Sequence, residues 1–499
     1  MSTQDVFFNK ELAPSAPAWL RSATVVESLA LGLLVLAWVW FSYGYVEDDA
    51  FIHLEFARSV ASGLGFAFAG TVTNGDTSPL WVLFITLIHA CGVEWVASTK
   101  VACAAGLALA ISGAWRLASD LPRERRAHDL LPLAAVAVTV LNPYFVHWSF
   151  SGMEATAALG LTFWVVWAVF LDTLTARRAL FAAILLAVGP LLRPELLLFA
   201  GLVGPVLLWR FWRAHAVESR GFRLGIAACL ALMMMLPVCV WCGYALHAFG
   251  SVVPNTNLAK RGGAIGQIAL RLLPVYVMGF PVTLLLLPFA GALGMSHRKT
   301  PGAIWALLLW PTACVAFYLA NHTMVQTRYC LLSMPSMSIA VLWMLGRVTS
   351  PRQLAGAAAA MLLASVFVVV SIVIPHVRNK EELREDFSAV STFIREHLPP
   401  REPVAVFAIG QIEFESRHPL VDVGGITQPA VVPYLGDSSA TLRWAKSQGA
   451  RYFAGNTSPE ADAVPVFVVK VPYIGWTLQR ASYLGTESYG VYRLSDKVR

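Results

Sequence analysis

Val46-Glu47-Asp48-Asp49-Ala50-Phe51 follows directly on Thr24–Tyr43, an apolar run long enough to cross a bilayer. Three carboxylates at the end of a membrane-length helix are costly if buried, and ionisable groups at membrane depth mark functional sites by default. The plain alternative is an acidic helix end standing in water. The rest of the chain decides between the two.

Of 499 residues, 57% are hydrophobic and only 13% charged. A soluble domain carries about 25% charged residues, so the chain reads as a polytopic membrane protein. Its 17 tryptophans suit interfacial anchors. Thr24–Tyr43 lacks a small-residue cleavage site and reads as a retained helix. The seven cysteines all precede residue 331 and lie in or beside apolar segments. Cys239 and Cys242 are read as helix packing, with no disulfide framework or zinc site.

About eleven spans are expected at roughly 20 apolar residues each: 22–43, 96–118, 131–149, 154–175, 179–192, 195–212, 223–249, 266–290, 302–320, 331–347 and 354–375. Basic residues gather in alternate loops, at Arg123, Arg125 and Arg126, at Arg177 and Arg178, at Arg210, Arg213, Arg220 and Arg223, at Arg298 and Lys299, and at Arg347 and Arg352. The positive-inside rule puts those loops in the cytoplasm. The outer face then receives residues 44–95, Ser151–Glu154, Arg193–Glu195, Pro254–Gly263, Asn321–Tyr329 and the tail. Every polar segment of unusual composition lands on one face. Pro79–Cys91 is too short to span and is expected as a re-entrant or surface helix.

Residues 1–375 form the expected transmembrane domain and 376–499 a small α/β domain on the outer face. In the tail, an amphipathic helix over Asn379–His397 precedes strands at Val404–Phe407, Pro419–Val423, Arg451–Ala454, Val464–Val469 and Gly490–Leu494, with a helix at Thr441–Ser447.

The outer segments supply the candidate chemistry. Either Asp48 or Asp49 suits a general base, since a carboxylate in a low-dielectric groove gains proton affinity. Lys260, Arg261 and Arg328 suit a phosphate; their alternative role is interfacial anchoring. Arg193 and Glu195 can pair across Pro194, and Glu154 sits at a helix N-terminus, where the dipole alone favours it. His53, His147 and His322 also fall outside. With the acid pair they leave room for a divalent cation, although their spacing carries no ligand signature. No nucleotide-binding glycine loop and no basic-aromatic nucleic-acid surface occurs. An outward-facing enzyme without nucleotides needs a preactivated substrate carried in the membrane.

In order along the chain, these segments resemble the GT-C superfamily of polyprenyl-phosphate-sugar glycosyltransferases, above all its cell-wall and pilin arabinofuranosyltransferase branch. The matching residues are Asp48-Asp49-Ala50-Phe51-Ile52, Arg58, Gly63 with Gly65, Phe68, Thr77-Ser78-Pro79-Leu80-Trp81, Ser151-Gly152-Met153-Glu154, Arg193-Pro194-Glu195, Pro254-Asn255-Thr256 with Ala259-Lys260, Arg328-Tyr329, and Asp422-Val423-Gly424-Gly425-Ile426-Thr427. The resemblance implies an acidic base at Asp48 or Asp49 and basic groups on the lipid phosphate at Lys260, Arg261, Arg328 and Arg58. It implies substrate contacts from Glu154, Arg193, Glu195, Asn255, His53, Ser78 and Tyr329. It further implies a multi-pass protein of the bacterial inner membrane with its site facing the periplasm. The reaction expected is inverting transfer of a sugar, arabinofuranose first and mannose or another hexose next, to a glycan, lipid or protein. The chain departs from the family pattern at Glu55, Ser59, Ala69-Gly70, Asn74-Gly75-Asp76 and Ala408.

Two rival classes remain. A transporter or flippase of lipid-linked sugars would place charges at the midplane and show internal repeats, and neither is evident. A non-catalytic assembly subunit would tolerate loss of both aspartates.

Overall fold

The computed structural model describes residues 32–171, 174–260, 265–279, 282–294, 300–323, 325–457, 460–472 and 486–495. Two compact units are present, residues 1–41 and 42–499. Of the first, the described part is the apolar helix Gly32–Phe41; the expected beginning of that span lies outside the described residues.

The second unit is a helical assembly carrying one sheet domain. Among the described residues, six helices are long and apolar enough to cross a membrane: Trp95–Asp120, Glu195–Ala214, Arg220–Phe249, Gly302–Ala320, Thr327–Gly346 and Pro351–His397. Taking the bent pair that starts at Ile265 as one span gives seven. Pro79–Ala90 and Ala155–Phe170 are shorter apolar helices. Arg220–Phe249 buries only Leu230 and Ala245 and presents Leu232, Met235 and Val240 outward. Such a surface is stable only where lipid replaces water, and a helix satisfies its own backbone there. Thr327–Gly346 is the opposite, buried throughout.

Three expected spans take a different form. Residues 131–149 divide into Leu131–Val140 and Pro143–Trp148. Asn142 causes the break: its Oδ1 accepts from the amides of Tyr144 and Phe145 at 3.0 and 3.3 Å, while its Nδ2 donates to the Gly279 carbonyl at 2.8 Å. The 266–290 segment divides into Ile265–Gly279 and Thr283–Gly294. The last span does not end at residue 375. Pro375 has no amide to donate; the helix passes it with one π turn at Val369–Val373 and continues as Ile374–His397. The span and the amphipathic tail helix are therefore one rod.

Beyond that rod lie β3 (Val404–Val406), β4 (Leu420–Asp422), β5 (Tyr452–Gly455), β6 (Val464–Pro472) and β7 (Thr486–Arg493), numbered after the small hairpin of β1 (Ala67–Phe68) and β2 (Thr71–Val72) in the first loop. The sheet order is β4-β3-β5-β7-β6. β3 pairs in parallel with β4 and β5; β7 pairs antiparallel with β5 and β6. Ala405, Val421, Val423, Leu442 and Ala445 form its core. The helix Ile409–Ser416, which joins β3 to β4, was not expected from the sequence. It packs on the first-loop helix Asp48–Ala61, with Phe51 and Phe414 rings 5.7 Å apart.

Several of the expected basic loops lie against one another or against a neighbouring helix end. Arg347 pairs with Glu124 at 2.9 Å, and Arg178 lies 3.9 Å from Asp120, so basic loops meet one another. The remaining polar loops converge elsewhere, around a single cavity.

Candidate active site

That cavity, about 410 Å³, is walled by all five of the polar segments expected on the outer face. The first-loop helix gives Asp49, Ile52 and His53, and the turn after the hairpin gives Gly75, Asp76 and Thr77. Met153 and Glu154 come from the second turn, Arg193 from the third, Thr256 and Lys260 from the fourth, Arg328 and Tyr329 from the fifth. Ile426 of the tail completes the wall.

Buried charges persist only when paired and hydrogen-bonded, and here they form two systems. In the first, Asp76 Oδ2 meets His53 Nδ1 at 2.5 Å, and His53 Nε2 lies 3.3 Å from Glu154 Oε2. Arg193 Nη1 donates to Glu154 Oε1 at 2.6 Å and grips Glu195 with Nε and Nη2 at 3.1 and 2.9 Å. The Tyr318 hydroxyl donates to Glu195 at 3.1 Å. Burial opposes a charged His53, but Asp76 and Glu154 outweigh it and push the imidazole up to about 10. Burial likewise opposes the Glu154 carboxylate, and Arg193 with His53 brings it down to about 2. This line of alternating charge is a fixed framework.

The second system is more open. Arg328 Nη2 donates to Asp49 Oδ2 at 2.6 Å. The Lys260 ammonium donates to the Tyr329 hydroxyl at 3.2 Å. Arg328 Nη1 is buried with no hydrogen-bond partner, so its guanidinium has a donor to give. Burial raises the Asp49 carboxyl, but Arg328 and then Lys260 hold it below the usual range, and it stays ionised. Asp49 and Arg328 also border a second cavity of about 690 Å³ with Tyr144, His147, Trp148, Val275 and Met278 in its walls. The Asp49–Arg328 pair is thus the partition between two chambers.

Asp48 faces elsewhere. Its Oδ1 accepts from the Gln411 amide at 2.9 Å and its Oδ2 from the Gly410 amide at 3.3 Å. It caps the Ile409–Ser416 helix in place of Ala408, which cannot. Burial, with Asp49 alongside, pushes its carboxyl up to about 6 despite those two amides. A side chain at position 410 would run into the Asp48 backbone, so only glycine permits this contact.

Other expected site residues are placed as follows. Arg58 is far from the phosphate candidates: it pairs with Glu55, donates to the Phe414 carbonyl at 2.9 Å and lines a separate cleft. Asn255 turns from the cavity and donates to Thr73 Oγ1 at 3.1 Å, while its neighbour Thr256 lines the wall. Ser78 is buried at the start of Pro79–Ala90, its amide bound to Asp76 Oδ1 at 2.6 Å. Glu195 lies behind Arg193 rather than in the cavity wall. Arg261 lies outside the described residues. His147 is bound to the Tyr45 hydroxyl at 2.9 Å. Among the described residues no three His, Cys, Asp or Glu side chains converge as metal ligands would.

Asp76, Thr77 and Thr256 are polar wall residues to which the sequence reading gave no site role. Asp76 was signalled by its place before Ser78-Pro79, where an Asx-type contact closes the turn. Lys380, paired with Glu47 at 2.8 Å, borders the larger chamber from the tail rod, and no local pattern announces it.

A family model described as "Domain of unknown function (DUF8728)" matches residues 375–492. No curated protein sequence matches the chain. Among solved structures, ArnT from Cupriavidus metallidurans in the apo state superposes with a TM-score of 0.58 at 13% identity, covering 94% of this chain and 98% of that one. The same protein bound to undecaprenyl phosphate gives 0.57 at 14%, covering 95% and 99%. The arabinofuranosyltransferase AftD from Mycobacteria, mutant R1389S, gives 0.50 at 16%, covering 92% of this chain but 41% of AftD. Together with its helical membrane body and small sheet domain, these likenesses show that the chain shares the overall fold of ArnT.

Proposed function

We propose that the protein is an inverting glycosyltransferase that moves a sugar from a polyprenyl-phosphate donor to an acceptor hydroxyl on the outer face of the membrane. The observation that carries this reading is the Asp49–Arg328 pair shared by two chambers. A base must reach the acceptor, a cation must reach the leaving phosphate, and the two must stand together at the anomeric carbon.

The smaller chamber suits the phosphate. Arg193 and His53 are taken up by Glu154, Glu195 and Asp76, which leaves Lys260 and Arg328 beside Asp49 as the cations that face the cavity. The acceptor hydroxyl gives its proton to the Asp49 carboxylate. Its oxygen attacks the anomeric carbon from the face opposite the phosphate, and the carbon–oxygen bond to phosphate breaks. The lipid phosphate leaves with the electron pair, met by Lys260 and by the unpartnered Nη1 of Arg328. As Arg328 turns toward phosphate, its hold on Asp49 weakens and the carboxylate becomes a better base.

ArnT, with the same fold, is known bound to undecaprenyl phosphate, and AftD is an arabinofuranosyltransferase; both support this donor class. Arabinofuranose is the first sugar to test, mannose and other hexoses next. The deciding experiment gives purified protein a panel of polyprenyl-phosphate sugars with envelope glycans, lipids and proteins as acceptors. A transferred sugar supports the reading. Movement of the lipid-linked sugar across vesicles without transfer would replace it with a flippase.

A further inference from the structure

Away from the catalytic chambers, three hollows of about 870, 660 and 920 Å³ run between the first-loop hairpin and the tail sheet. They adjoin one another in a row. The first two share Ala69 and Pro419; the second and third share Thr71, Thr73, Thr427 and Gln428. The far end is a charged cleft holding Glu55, Arg58, Glu413 and Arg417. The near end reaches Asn74, Asn255 and Thr427. Their immediate chain neighbours Gly75, Thr256 and Ile426 wall the phosphate chamber. The three hollows form a grooved surface running from the cleft to the back of the active-site wall.

We infer that this groove binds an extended glycan, the polymeric acceptor of the transfer proposed above. Glu413 lines the cleft with only 4% of its surface exposed, and its Oε2 has no hydrogen-bond partner. Burial pushes the Glu413 carboxyl up to about 8, and a ligand hydroxyl would satisfy its unpaired oxygen. Arg417, at the rim, is the left-handed C-cap of the Ile409–Ser416 helix, with φ of 53°. Sugar hydroxyls both donate and accept, which matches a wall mixing carboxylates, guanidinium groups and threonine hydroxyls. An extended peptide would need a free strand edge. The edge strand β4 offers three residues, and the Asp422 amide is already bound to Gln428 at 3.2 Å.

The inference rests on the transferase reading, so its test measures binding without turnover. Full-length protein in detergent, without donor, is titrated with a ladder from monosaccharide to octasaccharide made by partial hydrolysis of bacterial envelope polysaccharide. Trp444, in the groove wall, gives a fluorescence signal, and calorimetry gives an independent one. Affinity should rise with length. Glu413→Gln keeps the shape of the side chain, and Arg417→Gly suits a left-handed position, so both variants should fold. Each should weaken octasaccharide binding by about tenfold, the loss of one hydrogen bond, while monosaccharide binding stays the same. No gain with length, wild-type octasaccharide affinity in both variants, or binding of an extended peptide instead of the ladder would overturn the inference. Failure of transfer with normal ladder binding would condemn the reaction and leave the groove standing.

Discussion

Asp48 and Asp49 are joined by one peptide bond and occupy opposite surroundings. Successive residues of a helix point about 100° apart, and here that rotation sends one carboxylate to the tail domain and the other to the partition between two chambers. Asp48 is held by two backbone amides at a helix start, its proton affinity raised by burial. Asp49 is held by Arg328, which with Lys260 lowers its proton affinity. Proton affinity alone would elect Asp48 as the base. The reaction proposed above takes Asp49 instead, because a base must touch the proton it removes and Asp49 lines the cavity.

The largest effect should separate the neighbours. Asp49→Asn should lower turnover by about 10²–10⁴-fold, the usual worth of a positioned base. Asp48→Asn should cost less than about tenfold, since asparagine caps a helix nearly as well as aspartate. Equal losses in steady-state transfer would erase the distinction drawn here.

Next come the cations. Lys260→Ala should raise the KM for donor and lower kcat, by about 10²–10³-fold in kcat/KM if it meets charge developing on the leaving phosphate. An unchanged kcat/KM would remove it from the phosphate site. Arg193→Met should behave otherwise. It leaves Glu154 and Glu195 buried without their cation and should cost about 3–5 kcal/mol of stability, read as a fall in the midpoint of thermal unfolding with little effect on donor KM in whatever protein remains folded.

The smallest effect is on pH. His53 is charged in the fold up to about 10, above its unfolded value near 6.5. Its stabilisation is therefore complete below about pH 6.5 and is lost as pH rises toward 10. The difference in melting temperature between wild type and His53→Gln should shrink steadily across that window. A difference constant with pH would mean the imidazole is neutral.

Much of this was legible in the sequence because it is written locally. Apolar runs of the right length announced the helices, alternate basic loops sorted the faces, and short strand-like runs marked all five strands of the tail sheet. The convergence of Glu154, Arg193, Lys260 and Arg328 followed from that sorting alone. What was not legible depends on distant partners. Nothing near Asp48 points to Gly410 and Gln411, and nothing near Arg58 points to the Phe414 carbonyl that draws it from the phosphate candidates. The Ile409–Ser416 helix was missed because eight residues carry too little periodicity. Asn142 broke an expected span because its side chain found both a cap and a carbonyl 137 residues away.

The central claim is that the partition aspartate, not its neighbour, accepts the acceptor's proton. Its most direct test is single-turnover sugar transfer from a polyprenyl-phosphate donor by Asp49→Asn and Asp48→Asn proteins, each with donor binding measured separately. The account predicts donor bound and no transfer in the first, and transfer close to wild type in the second. Full transfer by Asp49→Asn would contradict it.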